Sequence, residues 1–324
     1  MASKTIISRE DFIILVENAT KAPSGHNTQP WKFKLVGDTI EIHPDFSKEL
    51  PIVDPNHREL YVSLGCAAEN LSIAATTMGC KTDLNITDDG ILELKLEKTD
   101  IDSDPLASQI SLRQSNRSAG NGEIIPTNQI EELKKTKLYP GVKIHLYQNG
   151  GKETRIIADY VRQGNDQQMN NPLFKVELFD WMRLNKKQQD ATNDGVSYAV
   201  FGAPNLPLWM VKPIMKNAIN AAPQNKKDAH AIEMSSHLAL FTTASNTLTD
   251  WVNLGRTLER FLLTTTELGI ANAHLNQPNE IQKLSSEMAD KLGLKNEYTT
   301  VILRLSYAKP MPFSKRHDVK EVII

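Results

Sequence analysis

The stretch Ala22-Pro23-Ser24-Gly25-His26-Asn27-Thr28-Gln29-Pro30-Trp31 breaks the regular pattern on either side of it. Proline removes a backbone donor and fixes φ, and glycine frees the chain, so this run forms neither helix nor strand. Upstream, Ser8 caps a helix with Asp11 at its third position, and Phe12, Leu15, Val16 and Ala19 recur at helical spacing. Downstream, Trp31, Phe33 and Leu35 alternate as in a strand, Gly37-Asp38 turns the chain, and Ile40 and Ile42 alternate again. A long helix follows over residues 59–78. Asp88-Asp89-Gly90 then separates two short alternating runs, the second carrying Leu92, Leu94 and Leu96.

The second half repeats parts of this order. Laid over residues 252–269 at an offset of 190, residues 62–79 match at Val62, Leu64, Gly65, Glu69, Thr76 and Gly79, six identities in eighteen. A strand after a helix also recurs, 31–36 resembling 142–147. From Trp31 to Leu64 is 33 residues and from Val142 to Leu254 is 112, so the second copy carries about 79 more. The surplus lies at about 164–230 and holds an apolar piece over 174–181 and a proline-rich run with Trp209. Such an insertion reads as a lid or binding loop, or as an excursion on the surface. The division expected is 1–104 for the first repeat and 105–324 for the second, with the insertion inside it.

Composition narrows the classes. The 324 residues are 40% hydrophobic and 23% charged with a formal charge of −2, which excludes a disordered chain and argues against nucleic acid as a partner. No apolar run approaches the roughly 20 residues of a membrane span, and the N-terminus has no signal-peptide pattern, so a soluble cytoplasmic protein is expected. Cys66 and Cys80 alone make neither a disulfide framework nor a zinc site.

Several motifs fail on counting. There is no Gly-x-Gly-x-x-Gly, and Leu146 stands where a P-loop before Gly151-Lys152 needs its first glycine. A calcium loop from Asp190 breaks at Thr192 and has Phe201 at the bidentate position. His230 and His237 have no acidic or cysteine partner at metal spacing, and no metal is expected. Arg113-Gln114-Ser115-Asn116-Arg117 remains. Two guanidiniums and a hydroxyl suit a phosphate, or form a solvated turn.

Taken together, the loop from Ala22 to Trp31 after an amphipathic helix resembles the signature loop of the FMN-dependent nitroreductase family, and Arg113-x-Ser115-x-Arg117 resembles that family's phosphate-binding segment. Residues 65–79 and 255–269 both resemble its central dimer-core helix, and Lys315-Arg316-His317 its basic tail. The closest subgroup is the fused, pseudo-dimeric Acg-like proteins. The resemblance implies an α+β, nitroreductase-like FMN-binding fold: two repeats fused as an intramolecular pseudo-dimer with a lid insertion. In that family the loop and the phosphate segment come from different subunits. Here repeat one keeps the loop but has Lys4-Thr5-Ile6-Ile7-Ser8-Arg9 before its helix, whereas repeat two keeps the phosphate segment but has Lys137-Leu138-Tyr139-Pro140-Gly141 after its own. One complete site and one empty remnant are therefore expected.

Carried over by position, Arg113, Gln114 and Ser115 hold the phosphate and ribityl end, with Arg316 beside them, and Arg117 lies beside flavin N1 and O2. Pro23, Ser24, Gly25 and Asn27 pack on the isoalloxazine. Leu275, Asn276 and Gln277 match the segment near flavin N5, where this sequence departs from the family pattern. No catalytic side chain is named. The resemblance implies NAD(P)H-dependent reduction of a nitro- or quinone-like small molecule by a monomer (a pseudo-dimer within one chain) or a weak homodimer. The alternative is a flavin-sequestering protein whose lid, with Phe174, Phe179, Trp181 and Trp209, blocks nicotinamide. Dehalogenation or substrate oxidation under the lid stays open as a third chemistry.

Overall fold

The computed structural model describes residues 6–324; Lys4 and Thr5, read above as lacking a phosphate pattern, lie outside the described residues. Helix α1 (Arg9–Ala19) starts in a reciprocal capping box: Ser8 Oγ accepts from Asp11 N at 3.1 Å and Asp11 Oδ2 accepts from Ser8 N at 2.9 Å. After the proline loop come β1 (Trp31–Val36) and β2 (Thr39–Pro44), an antiparallel hairpin. Helix α2 (Arg58–Thr76) leads to a second hairpin, β3 (Cys80–Ile86) with β4 (Leu92–Lys98). The strand order is β1-β2-β4-β3, antiparallel throughout, and Trp31, Phe33, Ile40, Ile42, Leu92 and Leu94 bury one face.

The second half runs α3 (Thr127–Lys134), β5 (Val142–Gln148) and then a helical segment of α4 (Lys152–Asn170), α5 (Pro172–Asp180), β6 (Met182–Arg183), α6 (Lys186–Thr192), β7 (Val196–Ser197), α7 (Leu208–Ala218) and α8 (Ala221–Glu233). It closes with β8 (His237–Thr243), α9 (Leu248–Glu267), β9 (Ala271–His274), α10 (Gln282–Leu292), β10 (Tyr298–Ser306) and α11 (Val319–Val322). The second sheet has the order β5-β8-β10-β9, also antiparallel, with α9 between its second and third strands in sequence. The first sheet has α2 at the same point. Between β5 and β8 the helical segment runs from α4, which starts at Lys152, to α8, which ends at Glu233.

The centre of the molecule is the crossing of α2 and α9. Residues 60–75 of α2 are all buried, with a sheet on one side and α9 on the other. Phe241 of β8 meets Phe261 of α9 edge to face at 5.2 Å, joining the second sheet to the same core. The tail returns to the first half, where Ile324 N donates to Phe33 O at 2.9 Å along the free edge of β1. Among the described residues no helix is long and apolar enough to cross a membrane.

Candidate functional site

A cavity of about 1370 Å³ lies between the proline loop, the Arg113 segment, the end of β9, the C-terminal tail and the helical segment. Its walls include every residue expected to hold the cofactor: Pro23, Ser24, Gly25 and Asn27; Arg113, Gln114, Ser115 and Arg117; Leu275, Asn276 and Gln277; and Arg316. Side chains almost three hundred positions apart thus meet in one space.

The proline loop is held in an unusual backbone. His26, Asn27 and Gln29 have φ of 47°, 57° and 56°, in the left-handed region that residues with a Cβ rarely adopt. The loop's own polar groups keep it there. Ser24 Oγ accepts from Gln29 N at 3.0 Å, and Gln29, buried, donates through Nε2 to Asn193 O at 3.0 Å and accepts from His317 N at 2.9 Å. Asn27 Nδ2 donates to Gly195 O and Lys315 O, each at 3.1 Å, while Gly195 N donates to Asn27 O at 3.1 Å. The loop is therefore tied to the turn after α6 and to the tail.

Two guanidiniums converge on the C-terminal end of α1, where helix carbonyls lack partners. Arg113 Nη2 donates to Lys21 O at 2.5 Å, and Arg316 donates to Thr20 O at 2.8 Å, Ala22 O at 3.1 Å and Asn27 Oδ1 at 2.7 Å. One carboxylate serves both: Glu259 Oε1 lies 3.3 Å from Arg113 Nε, too poorly aligned for a hydrogen bond. Burial pushes Glu259 up to about 7, and burial with the Arg113 charge pulls Arg316 down to about 9. A buried and a half-buried guanidinium, the first with an unpartnered Nε, are electrostatically suited to a dianionic phosphate. Gln114 Oε1 accepts from Met311 N at 2.7 Å, and Ser115 forms a bridge to Asn272 of β9, which fixes the segment.

At the other end, Leu275 is buried and its N–H donates to Ile302 O at 2.9 Å, so that donor already belongs to β10. Asn276 Nδ2 donates to Glu59 Oε1 at 2.7 Å, and Gln277 Nε2 to Asp228 Oδ2 at 3.1 Å. Glu59 and Glu280 line the cavity, burial and neighbouring carboxylates pushing Glu59 up to about 8; burial pushes Glu280 up to about 7. His26 and His274 are pulled down to about 4 by burial and then by the Arg117 charge, so both are neutral near pH 7.

The roof differs from expectation. Of the four aromatic residues considered as a lid, Phe174 alone lines the cavity; Phe179 and Trp181 pack in a neighbouring cluster and Trp209 is 77% exposed. Tyr198, Phe201 and Phe313 line the space instead. Around Glu69, the residue that stands opposite Glu259 in the 190-residue register, charged and aromatic side chains pack together. Fully buried Glu69 accepts from Arg256 Nε at 2.7 Å, from Tyr139 Oη at 2.7 Å and from Arg260 Nε, and the Arg256 guanidinium lies 3.9 Å from the Tyr139 ring centroid. In the 190-residue register Arg256 stands opposite Cys66, which lines the cavity.

Residues 2–51 match the family model described as Nitroreductase family. The chain is 23% identical over 323 residues to the Mycobacterium tuberculosis protein named "Putative NAD(P)H nitroreductase Rv3131", covering 94% of this chain and 88% of that one. It is also similar to solved nitroreductase structures. One is the FMN-dependent NfnB of Mycobacterium smegmatis in complex with NADPH, at 12% identity, 63% and 88% coverage of the two chains, and TM-score 0.41. Another is the FMN and NADPH-dependent NfnB of Sphigopyxis sp. strain HMH, at 13% identity, 68% and 97% coverage, and TM-score 0.41.

Sequence reading missed Glu259, Arg304, Glu59, Glu280 and Lys227. Two of them carried a signal: Glu259 recurs as Glu69 on an otherwise apolar helix face, and Arg304 interrupts the apolar run Val301-Ile302-Leu303. Lys227 sits in a polar stretch of α8 and had none.

Proposed function

We propose that the cavity binds one FMN per chain and that the protein is an NAD(P)H-dependent oxidoreductase of the nitroreductase type, reducing nitro- or quinone-like small molecules. The observation that carries this is the convergence of Arg113 and Arg316 on the end of α1, directly beside the proline loop. The match of residues 2–51 to the Nitroreductase family and the name of the mycobacterial relative support it.

Two repeats that interlock through α2 and α9, each contributing one part of the site, make up the reading. Repeat one supplies Pro23, Ser24, Gly25 and Asn27; repeat two supplies Arg113, Gln114, Ser115, Arg117 and Arg316. Arg113 and Arg316 bind the phosphate, each charge-assisted bond contributing ~1.5–3 kcal/mol before ordering costs. Arg117 lies next to neutral His26 and His274, and its charge favours a reduced, anionic ring at flavin N1 and O2. Bound FMN supplies the two-electron carrier between nicotinamide and acceptor. With the two-fold internal to the chain, a monomer carries a complete site, and a weak homodimer is compatible with it. The fused Acg-like subgroup is the closest description.

Flavin storage is the second reading, favoured by the ties of Asn27 and Gln29 to Gly195 and Asn193, which hold the roof closed. Anaerobic mixing of the yellow protein with NAD(P)H separates the two: rapid bleaching of the flavin band supports the reductase, and bleaching by dithionite alone supports storage. Arg113→Ala lowers flavin occupancy. Two flavins per chain, or full occupancy in that variant, would falsify the split site.

A further inference from the structure

Above the proline loop the cavity has one strongly cationic edge that the flavin reading does not use in full. Phe201 carries two cations, Arg117 with its guanidinium carbon 5.6 Å and Lys227 with Nζ 4.7 Å from the ring centroid. Arg304, buried, stands behind them and donates to Asn116 O at 3.0 Å and Ser118 O at 2.6 Å. Among the described residues no carboxylate lies within ion-pair distance of any of the three. Asp228 lies beyond that distance and is held by neutral amides, accepting from Asn165 Nδ2 at 2.8 Å, Gln224 Nε2 at 3.0 Å and Gln277 Nε2 at 3.1 Å, and its charge offsets part of the cationic field at Lys227 and Arg304. The opposite wall is apolar, made by Phe174, Leu178, Met182, Met215 and Ile219.

Resting on the flavin reading, we infer that the acceptor is an anionic molecule with an apolar or aromatic body, its carboxylate or similar group held between Arg117 and Lys227 and its body against the Phe174–Met215 wall. Lys227, contributed by α8 of the helical segment, is the specificity-determining residue. Mixed chemistry of this kind discriminates through charge: a neutral analogue of the same shape keeps the apolar contact and loses the anion site.

The experiment uses the flavin-loaded full-length protein and two probes, 4-nitrobenzoate and 4-nitrobenzyl alcohol. Equilibrium dialysis and perturbation of the flavin band give their affinities without turnover. The carboxylate binds about tenfold tighter, and its advantage shrinks as salt rises from about 50 to about 500 mM. Lys227→Gln removes the advantage and Lys227→Arg retains it; Lys227 is exposed on its helix, and circular dichroism checks that both variants fold. Equal affinity of the two probes in the parent protein, or an advantage untouched in Lys227→Gln, overturns the inference. A protein that purifies colourless and takes up no FMN overturns the flavin reading instead, and dialysis of that protein still tests the anion site by itself.

Discussion

Gly65 and Gly255 touch at the crossing of α2 and α9: a Cβ on Gly65 would lie 2.3 Å from Val252 O, and one on Gly255 would lie 2.1 Å from Val62 O. The contact is reciprocal, residue for residue, under the same 190-residue offset that aligns the two helices in sequence. Tyr61 stacks on its own counterpart, Trp251, at 6.4 Å between ring centroids. Both contacts pair positions 190 residues apart, so the two helices meet through matching surfaces.

Gly255→Ala is therefore expected to destabilise the protein by about 2–4 kcal/mol, because the methyl group meets backbone on the facing helix and cannot be accommodated by a rotamer change. Urea titration of the variant reads this directly. A change below about 0.5 kcal/mol would mean that the helices move apart freely.

Glu259→Gln tests the competition for Arg113. The carboxylate ionises at about 7, so above that pH it opposes a phosphate and below it does not. The variant is expected to hold FMN several-fold tighter than the parent at about pH 8 and equally at about pH 6. Fluorescence titration at both pH values gives the comparison, and weaker binding at the higher pH would contradict the arrangement.

The flavin-free protein is expected to be most stable at about pH 5–6 and to weaken towards pH 8. Glu59, Glu259 and Glu280 are raised to about 8, 7 and 7, so the fold keeps protons that the unfolded chain loses above about 4.5, and stability declines as pH rises through that window. His26 and His274 are lowered to about 4, and the unfolded chain takes up their protons below about 6.5, so stability also declines towards acid. Glu297, held at about 2 by hydrogen bonds from Lys143, Thr242 and His145, adds to the acid limb. Thermal melts across this range check the shape; stability still climbing at pH 8 would refute it.

Glu69→Ala leaves the Arg256 and Arg260 guanidiniums without their shared buried partner. A loss of roughly 3–5 kcal/mol is expected. Flavin stoichiometry stays at one per chain, and a second bound flavin in this variant would contradict the split site.

Asn27→Gly keeps the left-handed backbone, which glycine adopts without strain, and deletes the contacts to Gly195 O, Lys315 O and Arg316. Flavin release is expected to quicken by about tenfold, as expected from losing charge-assisted and neutral hydrogen bonds at the roof. Stopped-flow exchange against apoflavodoxin-like flavin traps measures it, and an unchanged rate would remove Asn27 from the closure.

Local chemistry made much of this legible. Ser8 and Asp11 cap the first helix, Gly37-Asp38 turns the first hairpin, and apolar period placed α2 nearly to the residue, since capping, turn formation and amphipathic burial depend on near neighbours. Even Arg113 and the proline loop stood out as short runs. What a linear chain hides is which distant group meets which. Nothing in the local sequence singles out Arg256 and Arg260, yet packing turns both onto buried Glu69. Trp209 read as a roof residue and lies outside the cavity, while Phe201, Lys227 and Arg304 come together from a turn, a helix and a strand. Near-neighbour spacing by itself determined the first two helices and the two hairpins of the first half. The closed packing of α2 on α9, which brings charges from both halves into one low-dielectric space, decided which groups share a proton, a counter-ion or a ligand.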